Sequence, residues 1–193
     1  MNFGNWDVNV SFDSMPQPVA TAMAGINDTM IGAEYDFITY LGSQTVNGTN
    51  YAVLAKQVLT TGRDTQNVVL LKFNQKPGDI NANLVGIEHV LDSGGPLGGA
   101  EVNPQTDIPT TAQQVWLNAF EGYVGVKVKP LAFLGTQIVN GLNHFYIAEI
   151  STVTADPKKD IVLVVINPVS KSCTMTSVFE TKASNALGYA FTW

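Results

Sequence analysis

The sequence predicts an α+β fold, with two tandem domains that each wrap an antiparallel sheet around a single helix. The first observation is internal repetition, because residues 16–75 align with residues 109–168 without a gap, at an offset of 93 positions. The second is that each repeat carries one helical pattern followed by stretches of alternating hydrophobicity. The third is an Asn-Gly pair at the same place in both repeats, which is the strongest short signal for a β-hairpin. Solenoid repeats are only about 20–50 residues long, so the repeat indicates two whole domains, at residues 1–94 and 95–193.

The repeat is closest around the Asn-Gly pair. The segment Gln-Thr-Val-Asn-Gly at residues 44–48 recurs as Gln-Ile-Val-Asn-Gly at residues 137–141. Further matches join Gly42 to Gly135, Asn50 to Asn143 and Asn74 to Asn167. A type I′ turn, which needs two positive φ angles, is by itself a sufficient reason for each Asn-Gly pair. It does not explain the repeated Gln and Val, which favour a functional role for these loops.

Each repeat is expected to begin with its helix and to continue with four strands in hairpins. In the first repeat the helical pattern runs from Pro16 or Pro18 to near Gly32, and in the second it follows Pro109. The predicted strands of the first repeat are 35–46, 50–60, 67–73 and 83–91, and those of the second are 126–139, 143–153, 160–167 and 173–180. An N-terminal segment could add an edge strand.

Composition restricts the partners and the compartment. The net charge is −6 without a run of Lys or Arg, so neither nucleic acid nor an anionic membrane is an expected partner. No apolar run approaches the roughly 20 residues of a membrane span. One cysteine excludes an intrachain disulfide, and no secretion signal is visible, so a cytoplasmic location is expected. A mature secreted chain is the alternative.

The residues for catalysis are few. The two histidines, His89 and His144, occupy unrelated positions in the two repeats, and His144 is expected to face solvent from an alternating strand. Cys173 is expected to be a half-buried or surface thiol. No His, Cys or carboxylate cluster has the spacing of metal ligands, and no glycine-rich loop opens a helix. We therefore expect a protein that is not an enzyme and that needs no cofactor and no metal.

The loop motif, in its frame of one helix and successive hairpins, resembles the cystatins, most closely the stefin type that also lacks disulfides. That family combines a glycine in an N-terminal trunk, a Gln-x-Val-x-Gly first hairpin loop and a second hairpin loop with Pro-Gly or Pro-Trp. Unit by unit, the resemblance assigns protease-binding roles to a first-loop set of Gln44, Thr45, Val46, Asn47, Gly48, Gln137, Ile138, Val139, Asn140 and Gly141. It assigns the second loops to Pro77, Gly78 and Pro168, and the second trunk to Gly98 and Gly99.

The resemblance implies two cystatin-like domains that reversibly inhibit papain-like cysteine proteases by blocking the active-site cleft with hairpin loops. Two departures stand out: Asn replaces the more usual Ala before the loop glycine, and Pro168 is followed by neither Gly nor Trp. Two alternatives remain open. One is a non-inhibitory interaction or structural protein, and the other is a tandem inhibitor of another protease class.

Overall fold

The computed structural model describes residues 6–60, 65–94, 99–179 and 189–192. Gly98 of the predicted trunk lies outside these residues. The chain divides into two compact units, a first unit at Asn5–Ser93 and a second unit that includes Gly94–Trp193. Each unit is described by itself below.

The first unit is a five-stranded antiparallel sheet with one helix. Its elements in chain order are β1 (Asp7–Ser11), α1 (Gln17–Thr29), β2 (Ala33–Thr45), β3 (Thr49–Leu59), β4 (Thr65–Gln75) and β5 (Asn83–Asp92). The strands lie side by side in the order β1-β2-β3-β4-β5, so each one pairs with its neighbour in the chain.

The second unit repeats this plan and adds a strand. Its elements are β6 (Glu101–Gln105), α2 (Thr110–Phe120), β7 (Val126–Val139), β8 (Gly141–Thr152), β9 (Lys159–Asn167), β10 (Ser172–Ser177) and β11 (Tyr189–Thr192). The sheet order is β11-β10-β9-β8-β7-β6, and every pairing is antiparallel. The short strand β11 was not predicted.

The predicted α+β class, with cystatin-like domains built around a helix, is wrong, because the chain is mostly β. The described residues form eleven strands and only two helices, of 13 and 11 residues. The prediction assumed that each sheet buries one face beneath its helix. In β4, however, the neighbouring residues Val68, Val69, Leu70 and Leu71 are all buried. Successive strand residues point to opposite faces, so both faces of this sheet are covered and the sheet forms the body of the unit.

One face of each sheet carries the helix. In the first unit Val19, Met23 and Ile26 recur on one side of α1 and join a core with Tyr51 and Phe73. The helix begins after Pro16, and Pro18 lies in its first turn, where a missing N–H costs little.

In the second unit Ala112, Trp116 and Ala119 make the equivalent face of α2. The Tyr146 hydroxyl donates a hydrogen bond to the carbonyl of Ala112 at 2.8 Å, which fastens the helix to β8.

A repeated glycine lets the first strand of each unit cross closely over the next. Val8 lies opposite Gly42, and a Cβ atom on Gly42 would stand 2.2 Å from the Asp7 carbonyl oxygen. At Gly135 the same atom would stand 2.1 Å from the carbonyl oxygen of Glu101. Only glycine permits this approach, which gives a structural reason for one of the echoes between the two repeats.

Candidate functional site

The first tip is the pair of loops at one end of the first sheet, residues 46–48 between β2 and β3 and residues 76–79 between β4 and β5. In the first loop Asn47 and Gly48 both have positive φ, of 50° and 108°, as the Asn-Gly pair predicts. The Val46 amide donates a hydrogen bond to the Gly48 carbonyl at 3.0 Å. The loop is therefore a closed turn whose backbone is fixed by its sequence.

The two loops of the first tip are in contact. Thr49 pairs with Gln75, and a Cβ atom on Gly48 would lie 2.2 Å from the Gln75 carbonyl oxygen. In the second loop the Asp79 amide donates to the Lys76 carbonyl at 3.1 Å, and Gly78 has a φ of 89°. Pro at the second position and a positive φ at the third are typical of a type II turn.

Gln75 holds the second loop of the first tip from beneath. Its side-chain amide nitrogen donates a hydrogen bond to the Asp79 carbonyl at 2.8 Å, and its side-chain oxygen accepts one from the Tyr51 hydroxyl at 2.8 Å. Tyr51 belongs to the core under α1. The loop is thus connected by two side-chain hydrogen bonds to the packed interior.

The first strand of each unit begins at the same end as the tip. Asp7 lies opposite Ser43 in β2, and Glu101 lies opposite Thr136 in β7. Gly99 of the predicted second trunk is exposed and lies two residues before β6. In each unit the start of the first strand and both hairpin loops therefore lie at the same end of the sheet.

The second tip consists of Asn140, between β7 and β8, and residues 168–171, between β9 and β10. Its first loop is tighter than predicted, because Val139 pairs directly with Gly141. Gly141 has a φ of 96°, but Asn140 does not take a positive φ. The type I′ turn predicted at Asn140-Gly141 is therefore wrong. A Cβ atom on Gly141 would lie 2.8 Å from the Val169 side chain, so the neighbouring loop constrains this one.

Asn167 joins the two loops of the second tip, a role that the sequence reasoning missed. Its side-chain amide nitrogen donates hydrogen bonds to the Asn140 carbonyl at 3.2 Å and to the Asn143 side-chain oxygen at 2.9 Å. Its own side-chain oxygen accepts hydrogen bonds from the amides of Val169 and Ser170, both at 3.0 Å. The residue is buried. The available signals were its match to Asn74 and the Asn-Pro dipeptide, which is typical of a turn start.

The first unit carries the corresponding amide pair. Asn74 donates to the Asn50 side-chain oxygen at 2.7 Å across β3 and β4. Gln44 and Gln137, the first residues of the two motifs, lie opposite Asn50 and Asn143 in the strand register. A row of amide side chains therefore lies beneath each tip, and both motif glutamines are half-buried members of it.

The tips present exposed apolar side chains. Val46 and Val139 are 48% and 41% exposed. Ile138, Ile80 and Val169 are also exposed, around the same two tips. The other predicted site residues Thr45, Asn47, Pro77, Gly78, Asn140 and Pro168 are exposed, and the loop glycines Gly48 and Gly141 are half-buried. Exposed apolar side chains that lie together can mark a surface that contacts another protein.

No protein-family model matches the chain, and no curated protein matches it. Neither described helix has the length and apolar character that crossing a bilayer requires.

Cys173 and the two histidines lie on strands and not in the tip loops. Cys173 is fully buried, and burial raises the pKa of its thiol to about 12. The predicted half-buried or surface position of Cys173 is wrong, because its side chain joins the core beneath α2. His144 is half-buried rather than facing solvent, and burial lowers its pKa. His89 contacts Asp92 on the surface of β5.

Among the residues that the structure describes, no three His, Cys, Asp or Glu side chains meet in a group that could hold a metal ion. The paired loops, the fixed turns and the exposed apolar side chains at one end of each sheet make the two tips the candidate functional sites.

Proposed function

We propose that the chain is a reversible, proteinaceous inhibitor of papain-like cysteine proteases, and that the tip of each unit enters the active-site cleft. One observation carries the proposal. In each unit both hairpin loops and the start of the first strand lie at one end of the sheet, where Val46 or Val139 is exposed. This arrangement supports the reading of the Gln-x-Val-x-Gly motif as a protease-binding loop. The proposal rests on the loops and not on the fold class.

The physical basis of inhibition is a preformed wedge. A protease cleft that accepts an extended peptide is concave and contains apolar subsites, so exposed valine and isoleucine side chains would lose their contact with water there. The turns are anchored through Gln75 in the first unit and Asn167 in the second, so little conformational entropy is lost on binding. A tight turn also keeps the backbone out of the extended form that a substrate adopts at the catalytic cysteine.

The two tips differ in their second loops. The first has Pro77-Gly78, followed by the exposed Ile80. The second has Pro168, followed by the exposed Val169. Both second loops therefore offer an exposed apolar side chain, although only one keeps the Pro-Gly sequence. We assign the activity to a reducing compartment such as the cytoplasm, because the single cysteine forms no disulfide within the chain.

The test is inhibition of papain and of a cathepsin-type cysteine protease by the full chain at micromolar concentration. We expect inhibition by the native chain and at least about tenfold weaker inhibition by the double variant Val46→Glu/Val139→Glu, because a carboxylate would be buried in an apolar cleft. The matched control is the double variant Ile31→Glu/Val153→Glu. Both residues have exposed apolar side chains, and each lies at the end of its sheet that is opposite the tip. Their replacement should leave inhibition unchanged.

Four outcomes contradict the proposal. Full protease activity in the presence of the native chain would show that the chain does not inhibit these proteases. Equal inhibition by the tip variant and the control variant moves the site elsewhere. Binding to the protease without loss of peptide hydrolysis, or inhibition confined to serine or aspartic proteases, favours one of the two alternatives stated from the sequence.

A further inference from the structure

Each unit has a recess at the same place, between the start of the helix, the first strand and the first hairpin. Its volume is about 530 Å³ in the first unit and about 350 Å³ in the second. Equivalent positions of the repeat line both recesses, among them Pro16 and Pro109, Tyr40 and Phe133, and Tyr51 and His144. The duplication of the recess shows that the fold builds it, and volumes of this size suit small organic ligands.

The two recesses have diverged in chemistry. The first is lined largely by hydroxyl, amide and tyrosine side chains, and none of its lining residues carries a full charge at neutral pH. The second has an apolar wall that includes Ala112, Phe133 and Leu142, together with one carboxylate, Glu101. Glu101 is exposed and lies at the start of β6. Among the residues that the structure describes, no Lys or Arg lines the second recess.

His144 gives the second recess an unsatisfied polar group. Its Nδ1 atom is buried and has no hydrogen-bond partner in the part of the chain that the structure describes. A buried ring nitrogen without a partner is costly. Because this atom is closed off from solvent in the structure, a ligand in the recess can become its partner only when the imidazole ring turns. In the first unit the equivalent residue, Tyr51, already donates its hydroxyl hydrogen to Gln75. The unsatisfied group is therefore specific to the second recess.

We propose that the second recess is a binding site for a small organic amine with an aromatic or aliphatic body. The body lies against Phe133 and Leu142, and the positive nitrogen lies near the Glu101 carboxylate. Once the His144 ring has turned toward the recess, an N–H group of the ligand offers it the partner that it lacks. The single carboxylate and the absence of cations from the lining favour a cation over an anion. The net charge of −6 acts in the same direction. The proposal is independent of protease inhibition.

Tryptamine is a suitable probe, with indole as the neutral analogue and indole-3-acetate as the anionic one. We expect tryptamine to bind the full chain with a Kd of roughly 1 mM or below. Backbone amide signals should shift around Thr136, His144 and Glu101 and not around Ser43 and Tyr51. Indole should bind at least about threefold more weakly than tryptamine, and indole-3-acetate more weakly still.

Two variants test the named contacts. Glu101→Gln removes the charge at an exposed position, so it should preserve the fold and bring the affinity for tryptamine down to that for indole. His144→Tyr installs the first-unit residue and should weaken tryptamine binding at least about threefold. Val153→Glu is the control, because this exposed residue follows the far end of β8, outside the recess lining, and the change should leave tryptamine binding unchanged.

Any of three results overturns the proposal. They are the absence of signal shifts at about 10 mM tryptamine, equal binding of tryptamine and indole-3-acetate, and unchanged affinity in a folded Glu101→Gln chain. None of these results bears on protease inhibition, because that test depends on the tip valines.

Discussion

At the residue scale, Asn167 does most to fix the second tip. Four hydrogen bonds connect its one side chain to the first loop, to β8 and to two amides of its own loop. Asn74, the matching residue of the first unit, bonds to Asn50 at 2.7 Å. The same amino acid in the same register therefore has a larger structural role in the second unit, whose second loop lacks a Pro-Gly turn.

Replacement of Asn167 by Ala should destabilise the second unit by about 2–3 kcal/mol, because buried partners in both loops lose their hydrogen bonds. The matched change Asn74→Ala should cost the first unit only about 1 kcal/mol. Urea unfolding followed through the amide signals of each sheet measures both values. Equal losses in the two units would show that Asn167 has no special role in joining the loops.

At the element scale, the first strand of each unit depends on a glycine in the next strand. The Asp7 carbonyl occupies the position that a Cβ atom on Gly42 would need, and the Glu101 carbonyl does the same at Gly135. The edge strands β1 and β6 are therefore placed by backbone contact rather than by side-chain packing alone. Since each of these strands starts beside a tip, the glycines also determine how the chain enters the candidate site.

Gly42→Ala should destabilise the first unit by about 2–4 kcal/mol and detach β1, because a Cβ atom at 2.2 Å from a backbone oxygen forces the strand to move. Gly25→Ala is the matched control in the same unit. Gly25 lies inside α1 with open space around its Cβ position, so this change should stabilise the unit by about 0.5–1 kcal/mol. Hydrogen exchange of the β1 amides gives the readout, and unchanged protection in Gly42→Ala would contradict the close crossing.

At the scale of the whole molecule, one chain presents two tips, one in each compact unit. The shared anchoring rows and exposed valines predict that each tip binds its own protease molecule. Titration of a known concentration of active papain should therefore end at two protease molecules per native chain, and at one for either single variant, Val46→Glu or Val139→Glu. An end point of one for the native chain would mean that only one tip is active, or that one bound protease excludes the second.

The repeat and the strand pattern made much of the local structure predictable. The strand predicted at 126–139 coincides with β7, and that predicted at 83–91 falls within β5. The Asn47-Gly48 turn also forms as predicted, because both φ angles are set by the residues themselves. Local rules succeed where the decisive interactions are local.

The features that the sequence did not predict depend on contacts between distant segments. The predicted fold class is wrong because both faces of the sheet are buried, as the consecutive buried residues 68–71 show. The periodicity within one strand does not reveal this. The turn at Asn140 is wrong because Val169 and Asn167, nearly thirty positions away, constrain it. The joining role of Asn167 was not predictable, because its hydrogen bonds cross three segments of the chain.

The amide rows beneath the tips separate the position of a loop from its composition. Gln44, Asn50 and Asn74, with their counterparts in the second unit, lie where the strands end. The residues beyond them determine what the tip contacts. Apart from the loop glycines, the outer residues can therefore change without displacing the scaffold, and after duplication the two copies are free to diverge toward different targets. The same separation makes the protein a practical framework for engineered loops, in which a library need vary only a few outer positions of each hairpin.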